Sequence, residues 1–111
     1  MSPATREVHV SASAPESPLA RALQALPAIE QALAREPREP RLRLRHAQCL
    51  LTLGRKREAV AAAELARAGA PAEPAFYDAL GAVFSFADAQ DRALAAYSRA
   101  VELAPTVPFV A

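Results

Sequence analysis

The residues whose types and spacing could support a reaction are His46 and Cys49, in a chain with one cysteine and two histidines. Three residues apart on a helix, their side chains would share a face, where an imidazole can activate a thiol as a nucleophile. No third group that would orient the imidazole is evident, and an unaccompanied cysteine is usually a small buried apolar residue. His9 cannot complete a metal site with only one other histidine. We therefore expect no catalytic residue, no metal and no cofactor, in a chain that is not itself an enzyme.

A second group of candidates is a cluster of basic residues. Between residues 35 and 57 the sequence has eight arginines and lysines but only two acids. Arg41, Arg45 and Gln48 fall on one helix face at four- and three-residue spacing and could bind a carboxylate. A solvated basic surface is the commoner meaning of such a cluster, and both interpretations stay open. The net charge of +1 and the lack of aromatic residues among the arginines argue against nucleic-acid binding.

The elements that would carry these residues are separated by prolines. P-x-x-P pairs at 37–40, 71–74 and 105–108 recur every 34 residues, and proline ends one helix and permits the next. Glycine occurs only three times and no alternating apolar run has strand length, so the sequence predicts an all-α fold. The predicted helices are 17–35, 41–53, 57–68, 75–87 and 92–103.

Local signals add detail to these helices. Leu19, Leu23 and Leu26 follow one another at helical spacing and predict an apolar face on the first helix, which Ile29 and Leu33 continue. Pro27 predicts either a kink in that helix or the start of a new one. Gly54 predicts a left-handed C-cap residue at the end of the second helix.

The 34-residue spacing is also a repeat of the sequence itself. Shifted by 34 residues, Ala59 falls on Ala93 and Ala66 on Ala100, as expected where two helices cross closely. Such hairpins bury only part of their surface alone, so neighbouring hairpins must stack into a solenoid. The chain thus divides into a flexible leader 1–16, rich in serine, alanine and proline, and a helical domain 17–111. Within that domain lie a half repeat 17–39, two repeats 40–73 and 74–107, and the start of a further repeat 108–111.

The repeat resembles the tetratricopeptide repeat, or TPR. Residues 74–107 match the family's pattern of aromatic, Leu-Gly, small and proline positions throughout, at Tyr77, Leu80, Gly81, Phe84, Ala93, Tyr97, Ala100 and Pro105. The earlier repeat keeps the small residues and the proline but has Arg43, His46 and Ala63 at positions of larger apolar residues. The resemblance, which covers residues 17–111, implies a right-handed α-solenoid of antiparallel helix-turn-helix repeats.

The same resemblance implies protein–protein interaction, with a peptide or partner protein held on the concave face that the first helix of each repeat forms. The candidate partner-binding residues are Arg41, Leu44, Arg45, Gln48, Leu51, Asp78, Ala82, Ser85 and Phe86. Phe86 would either anchor an extended peptide or pack against a neighbouring helix. An acidic partner would suit the arginines. The carboxylate clamp of chaperone-binding TPRs is not expected, because Leu44 and Gln48 replace its lysine and asparagine.

Two alternatives to a partner-binding module follow from the apolar face of the last helix and from the lack of catalytic motifs in the chain. Leu94, Val101 and Phe109 predict an apolar face with no capping helix, which fits an N-terminal piece of a longer bacterial protein or a self-associating scaffold. The longer protein could be an enzyme, such as a TPR-containing sulfotransferase, with its catalytic domain absent from this chain. The chain itself has no Gly-rich phosphate loop. No signal peptide or membrane span is evident, so we expect no membrane partner and a cytoplasmic location.

Overall fold

The computed structural model describes residues 17–105, which form five helices. No strand occurs within this range, so the predicted all-α fold is confirmed. The leader 1–16, with His9, and the further repeat 108–111, with Phe109, lie outside the described residues. The helices are α1 (Pro18–Arg35), α2 (Pro40–Thr52), α3 (Lys56–Ala68), α4 (Pro74–Phe86) and α5 (Gln90–Leu103).

The helices stack as a solenoid. The most extensive contacts join α2 to α3 and α4 to α5, which are the two predicted hairpins. Helix α1 packs on α2, and α4 contacts both α3 and α2. Each of α1, α2 and α4 carries a proline in its first turn, where the missing N–H leaves no hydrogen bond unmade.

Helix α1 decides between two alternatives and departs from one prediction. Of the two alternatives for Pro27, the start of a new helix is wrong, because α1 continues unbroken through it. Pro27 has no N–H to donate to the Leu23 carbonyl. Because Pro27 is exposed, water can donate that hydrogen bond instead. Leu19 and Leu23 are 52% and 59% exposed rather than buried. Ile29 and Leu33 are buried as predicted, together with Ala22, and Leu26 is half-buried against the core.

The two hairpins close with the same turn. After α2 the amide of Gly54 donates to the Leu51 carbonyl at 2.9 Å, and the amide of Arg55 donates to the Leu50 carbonyl at 2.9 Å. This is the Schellman arrangement, and Gly54 has φ +79° as predicted. After α4 the equivalent position is Asp88, a non-glycine residue at φ +66°.

Small residues allow the helices of each hairpin to cross closely. In the first hairpin Ala47 and Ala63 are both fully buried. One repeat later, Gly81 and Tyr97 stand at the same positions, and the Tyr97 ring lies on the backbone of Gly81. A Cβ on Gly81 would come within 2.6 Å of Tyr97 Cε1. The second repeat therefore packs a tyrosine ring against a glycine at the position where the first repeat packs two alanines together.

Ion pairs on the surface connect the two hairpins. Arg41 on α2 contacts Glu73, the residue before α4, at 2.8 Å, and Lys56 contacts Asp88 at 2.9 Å. Both pairs span 32 residues and are solvent-exposed. Each therefore contributes little to the stability of the fold, because water screens exposed charges.

Candidate partner-binding site

The residues predicted to bind a partner lie on α2 and α4, the first helices of the two hairpins. Five of them are exposed, namely Arg41, Arg45, Gln48, Asp78 and Phe86. Leu44 and Leu51 are half-buried against the hydrophobic core. Ala82 and Ser85 are also half-buried. The exposed members are thus the ones that a partner can reach without rearrangement.

Arg41 and Arg45 differ in what they contact. The Arg41 guanidinium pairs with Glu73 and lies 5.9 Å from the centroid of the Phe76 ring. The hydrogen bond to Glu73 raises the pKa of Arg41, so this cation is already committed within the chain. Among residues 17–105, no carboxylate lies within 4.0 Å of the Arg45 guanidinium. Of the two arginines, Arg45 is the one whose charge a partner can use.

Arg45 lines an open cleft of about 290 Å³ between α1 and α2. Sequence reasoning placed Arg45 and Gln48 together on α2 but missed Arg21, which faces them from α1. No repeat partner of α1 precedes it in the described chain, so the 34-residue pattern gave no signal for Arg21. The residues that line the cleft include Arg21, Ala22, Ile29, Arg45, Gln48 and Cys49.

Phe86 is the last residue of α4, and its side chain is 70% exposed. The phenylalanines earlier in the same helix are buried, Phe76 to 4% exposure and Phe84 to 0%. The prediction left open whether Phe86 packs on a neighbouring helix. Within the described chain most of its ring remains accessible, so it offers an aromatic contact at the end of α4.

His46 and Cys49 do not form an activated nucleophile pair. Both ring nitrogens of His46 are buried without a hydrogen-bond partner. The Glu30 carboxylate is 3.8 Å from Nε2, which is too far for a hydrogen bond. Burial raises the pKa of the Cys49 thiol, with Arg45 partly opposing the shift. A nucleophilic cysteine needs a lowered pKa, and this thiol is protonated at neutral pH.

The last helix carries the most exposed apolar face in the described structure. Leu94, Tyr97 and Val101 on α5 are 69%, 39% and 75% exposed. At the equivalent positions of α3, Val60 is half-buried and Ala63 is fully buried, and α4 packs on that helix. Helix α5 has no such neighbour within residues 17–105.

This architecture of stacked helical hairpins defines an α-solenoid. The model of the tetratricopeptide repeat family matches residues 19–83, which is more than half of the chain. The chain belongs to the TPR family, whose members are helical repeat modules generally used for protein–protein interaction. No curated protein matches the chain.

A solved structure called MamA MSR-1 C2 is similar in fold, with a TM-score of 0.62 and 24% sequence identity. The match covers 75% of this chain and 48% of that chain, so the present chain spans about half the length of the protein it matches. At 24% sequence identity, the structural similarity shows only that the two chains share a fold. No helix within residues 17–105 has the length and apolar character needed to cross a membrane.

Proposed function

We propose that the domain is a scaffold that holds a peptide or partner protein on the concave face formed by α2 and α4. The observation that carries the proposal is the accessibility of Phe86, in a helix whose other phenylalanines are buried. Arg45 and Gln48, which are exposed on α2, supply the polar contacts of the proposed site. An aromatic anchor beside a few polar groups is the usual composition of a binding hot spot.

The size of the expected anchor effect follows from the exposed ring. An aromatic side chain buries about 150–250 Å², and Phe86 has most of that area still to bury. At about 25 cal/mol per Å², its burial would contribute roughly 3 kcal/mol, or about a hundredfold in affinity. Phe86 is therefore the first residue to change in a binding experiment.

A peptide-display selection against the purified protein, followed by titration of the selected peptides, tests this function. Phe86→Ala should weaken their binding about 10- to 100-fold. Leu65→Ala is the matched control, because Leu65 is 53% exposed but lies on α3, the second helix of its hairpin. Peptides that bind Phe86→Ala as tightly as the unchanged protein would show that the concave face is not the binding surface.

We also propose that this chain acts without catalysis of its own. The raised pKa of the Cys49 thiol supports this, as does the absence of any group of three or more metal-ligating side chains among the described residues. A free, single cysteine also suits a reducing compartment, and we propose the cytoplasm. The alternative, that the domain precedes the catalytic part of a larger enzyme, stays a prediction.

Self-association is a second candidate, favoured by the exposed face of Leu94, Tyr97 and Val101 on α5. A second copy of the chain could cover this face with its own, as a symmetric dimer does. Light scattering behind size exclusion at several concentrations would then show a dimer, and Leu94→Glu with Val101→Glu would return it to a monomer. Leu65→Glu is the control on α3. If the protein without substitutions is monomeric at every concentration, self-association is ruled out.

A further inference from the structure

The cleft between α1 and α2 carries two arginines and no acid. Among residues 17–105, no carboxylate lies within 4.0 Å of the guanidinium groups of Arg21 or Arg45. None of the residues that line the cleft is acidic. Five other arginines are each paired with a glutamate, namely Arg41, Arg55, Arg67, Arg92 and Arg99. Five of the eleven arginines among residues 17–105 are thus neutralised by the chain, whereas Arg21 and Arg45 meet at one cleft without an acid.

The cleft also has an apolar floor. Ala22 and Ile29 on α1 are 5% and 4% exposed, and both line it. Gln48 stands exposed on α2 beside Arg45, and its side-chain amide can donate two hydrogen bonds. Cations and an amide donor above an apolar floor suit a side chain with methylene groups and a terminal carboxylate.

The cleft exists because of its position in the solenoid. Helix α4 packs against α2, and Val83 on α4 is only 2% exposed. Cys49 stands one repeat before Val83, on the side of α2 that faces α1, and it is half-buried. This side of α2 is therefore less completely covered than the corresponding side of α4. The gap between α1 and α2 leaves room for a narrow peptide segment.

We propose that this cleft binds a carboxylate of an acidic partner segment, held between Arg21 and Arg45. The inference rests on the proposed interaction function and adds the chemistry of the partner. Each guanidinium can form a bidentate pair with a carboxylate, and the flanking methylene groups contact Ala22 and Ile29. The acid is a glutamate or aspartate side chain or the terminal carboxylate of the partner, since the three share the group that the arginines recognise.

Cys49 is a built-in reporter of occupancy. It is the single cysteine of the chain, and it lines the cleft. A bound segment would shield its sulfur from a thiol reagent, and a carboxylate on Arg45 would cancel the help that this arginine gives to thiolate formation. Binding in the cleft should therefore slow the modification of the Cys49 thiol.

Three peptides serve as probes, all with a blocked amino terminus and the first two also with a blocked carboxyl terminus. The first alternates glutamate with leucine. The second has glutamine in place of every glutamate, and the third is the glutamine peptide with a free terminal carboxylate. We expect the glutamate peptide to slow the modification of Cys49 at least fivefold, and the glutamine peptide to leave the rate unchanged. Protection by the third peptide alone would assign the site to a terminal carboxylate, and either acidic probe supports the proposal.

Arginine variants connect the protection to the cleft. Arg21→Gln and Arg45→Gln should each weaken binding of the protecting peptide about tenfold, and higher salt should weaken it further. Arg57→Gln is the matched control, since Arg57 is exposed on α3 and does not line the cleft. Equal protection by all peptides, or an equal loss in Arg57→Gln, would overturn the proposal.

The two proposals fail in distinguishable ways. Binding that is insensitive to Arg21→Gln and Arg45→Gln but is lost in Phe86→Ala would reject the cleft and keep the concave face as the site. Binding that is insensitive to all three changes would reject both.

Discussion

The contact between Gly81 and Tyr97 gives a prediction whose sign depends on the partner residue. Replacing a glycine inside a helix with alanine normally stabilises by about 1 kcal/mol. At Gly81 the new Cβ would lie 2.6, 2.7 and 2.8 Å from three atoms of the Tyr97 ring. Carbon atoms in contact are about 3.5–4.0 Å apart, so the ring would have to retreat by about 1 Å.

The cost of that retreat decides the outcome. Inserting a methyl group into a packed site costs about 1–3 kcal/mol, although Tyr97 is 39% exposed and has some room to turn. Set against the helix gain, Gly81→Ala should lower the free energy of unfolding by about 1 kcal/mol. In a Tyr97→Ala background the same change recreates the alanine pair of Ala47 and Ala63. There it should raise the free energy of unfolding by about 1 kcal/mol.

Urea unfolding of the four proteins, followed by far-UV circular dichroism, measures both effects in one double-mutant cycle. The expected coupling between the two positions is about 2 kcal/mol. The slope of each unfolding curve must stay the same across the four proteins, so that the midpoints report stability. If Gly81→Ala stabilises equally with and without the tyrosine ring, then the ring does not require a glycine beneath it and the reasoning is wrong.

Three further changes test other features of the fold. His46→Leu should raise the free energy of unfolding by about 1–3 kcal/mol, measured near pH 8, because it removes two buried ring nitrogens without hydrogen-bond partners. An unchanged melting temperature would contradict this. Asp88→Gly should be more stable than Asp88→Ala by about 1 kcal/mol, because φ is +66° and both lose the exposed pair with Lys56. Equal denaturation midpoints would argue against strain at this turn. Hydrogen bonds from Arg67 and Arg92 lower the pKa of Glu64 below its ordinary 4.5, so its stabilisation is present above that pH and is lost as the pH falls through the folded value. Glu64→Gln should therefore flatten the loss of stability between about pH 5 and pH 3, and an unchanged acid slope would assign that loss to other carboxylates.

Features governed by local sequence could be predicted, and features governed by distant contacts could not. The turn at Gly54 and the ends of the helices follow from the conformational limits of glycine and proline, which act within a few residues. The capture of Arg41 by a glutamate 32 residues away has no local signal. Arg21 was missed for the same reason, because only packing brings α1 against α2. The sequence left open whether Pro27 kinks α1 or starts a new helix, because the tolerance of a helix for proline depends on which side of it meets water.

The uneven use of bulky residues along the solenoid has a consequence for how it opens. The second hairpin is built around Leu80, Val83 and Phe84, the largest fully buried side chains, whereas the buried residues of the first hairpin are mostly alanines. In repeat proteins each unit has its own opening free energy, so backbone amides of α2 and α3 should exchange with deuterium faster than those of α4 and α5. A carboxylate that bridges Arg21 and Arg45 would clamp α1 and α2 together. Binding would then slow exchange at this end of the molecule, and part of the binding free energy would appear as local order.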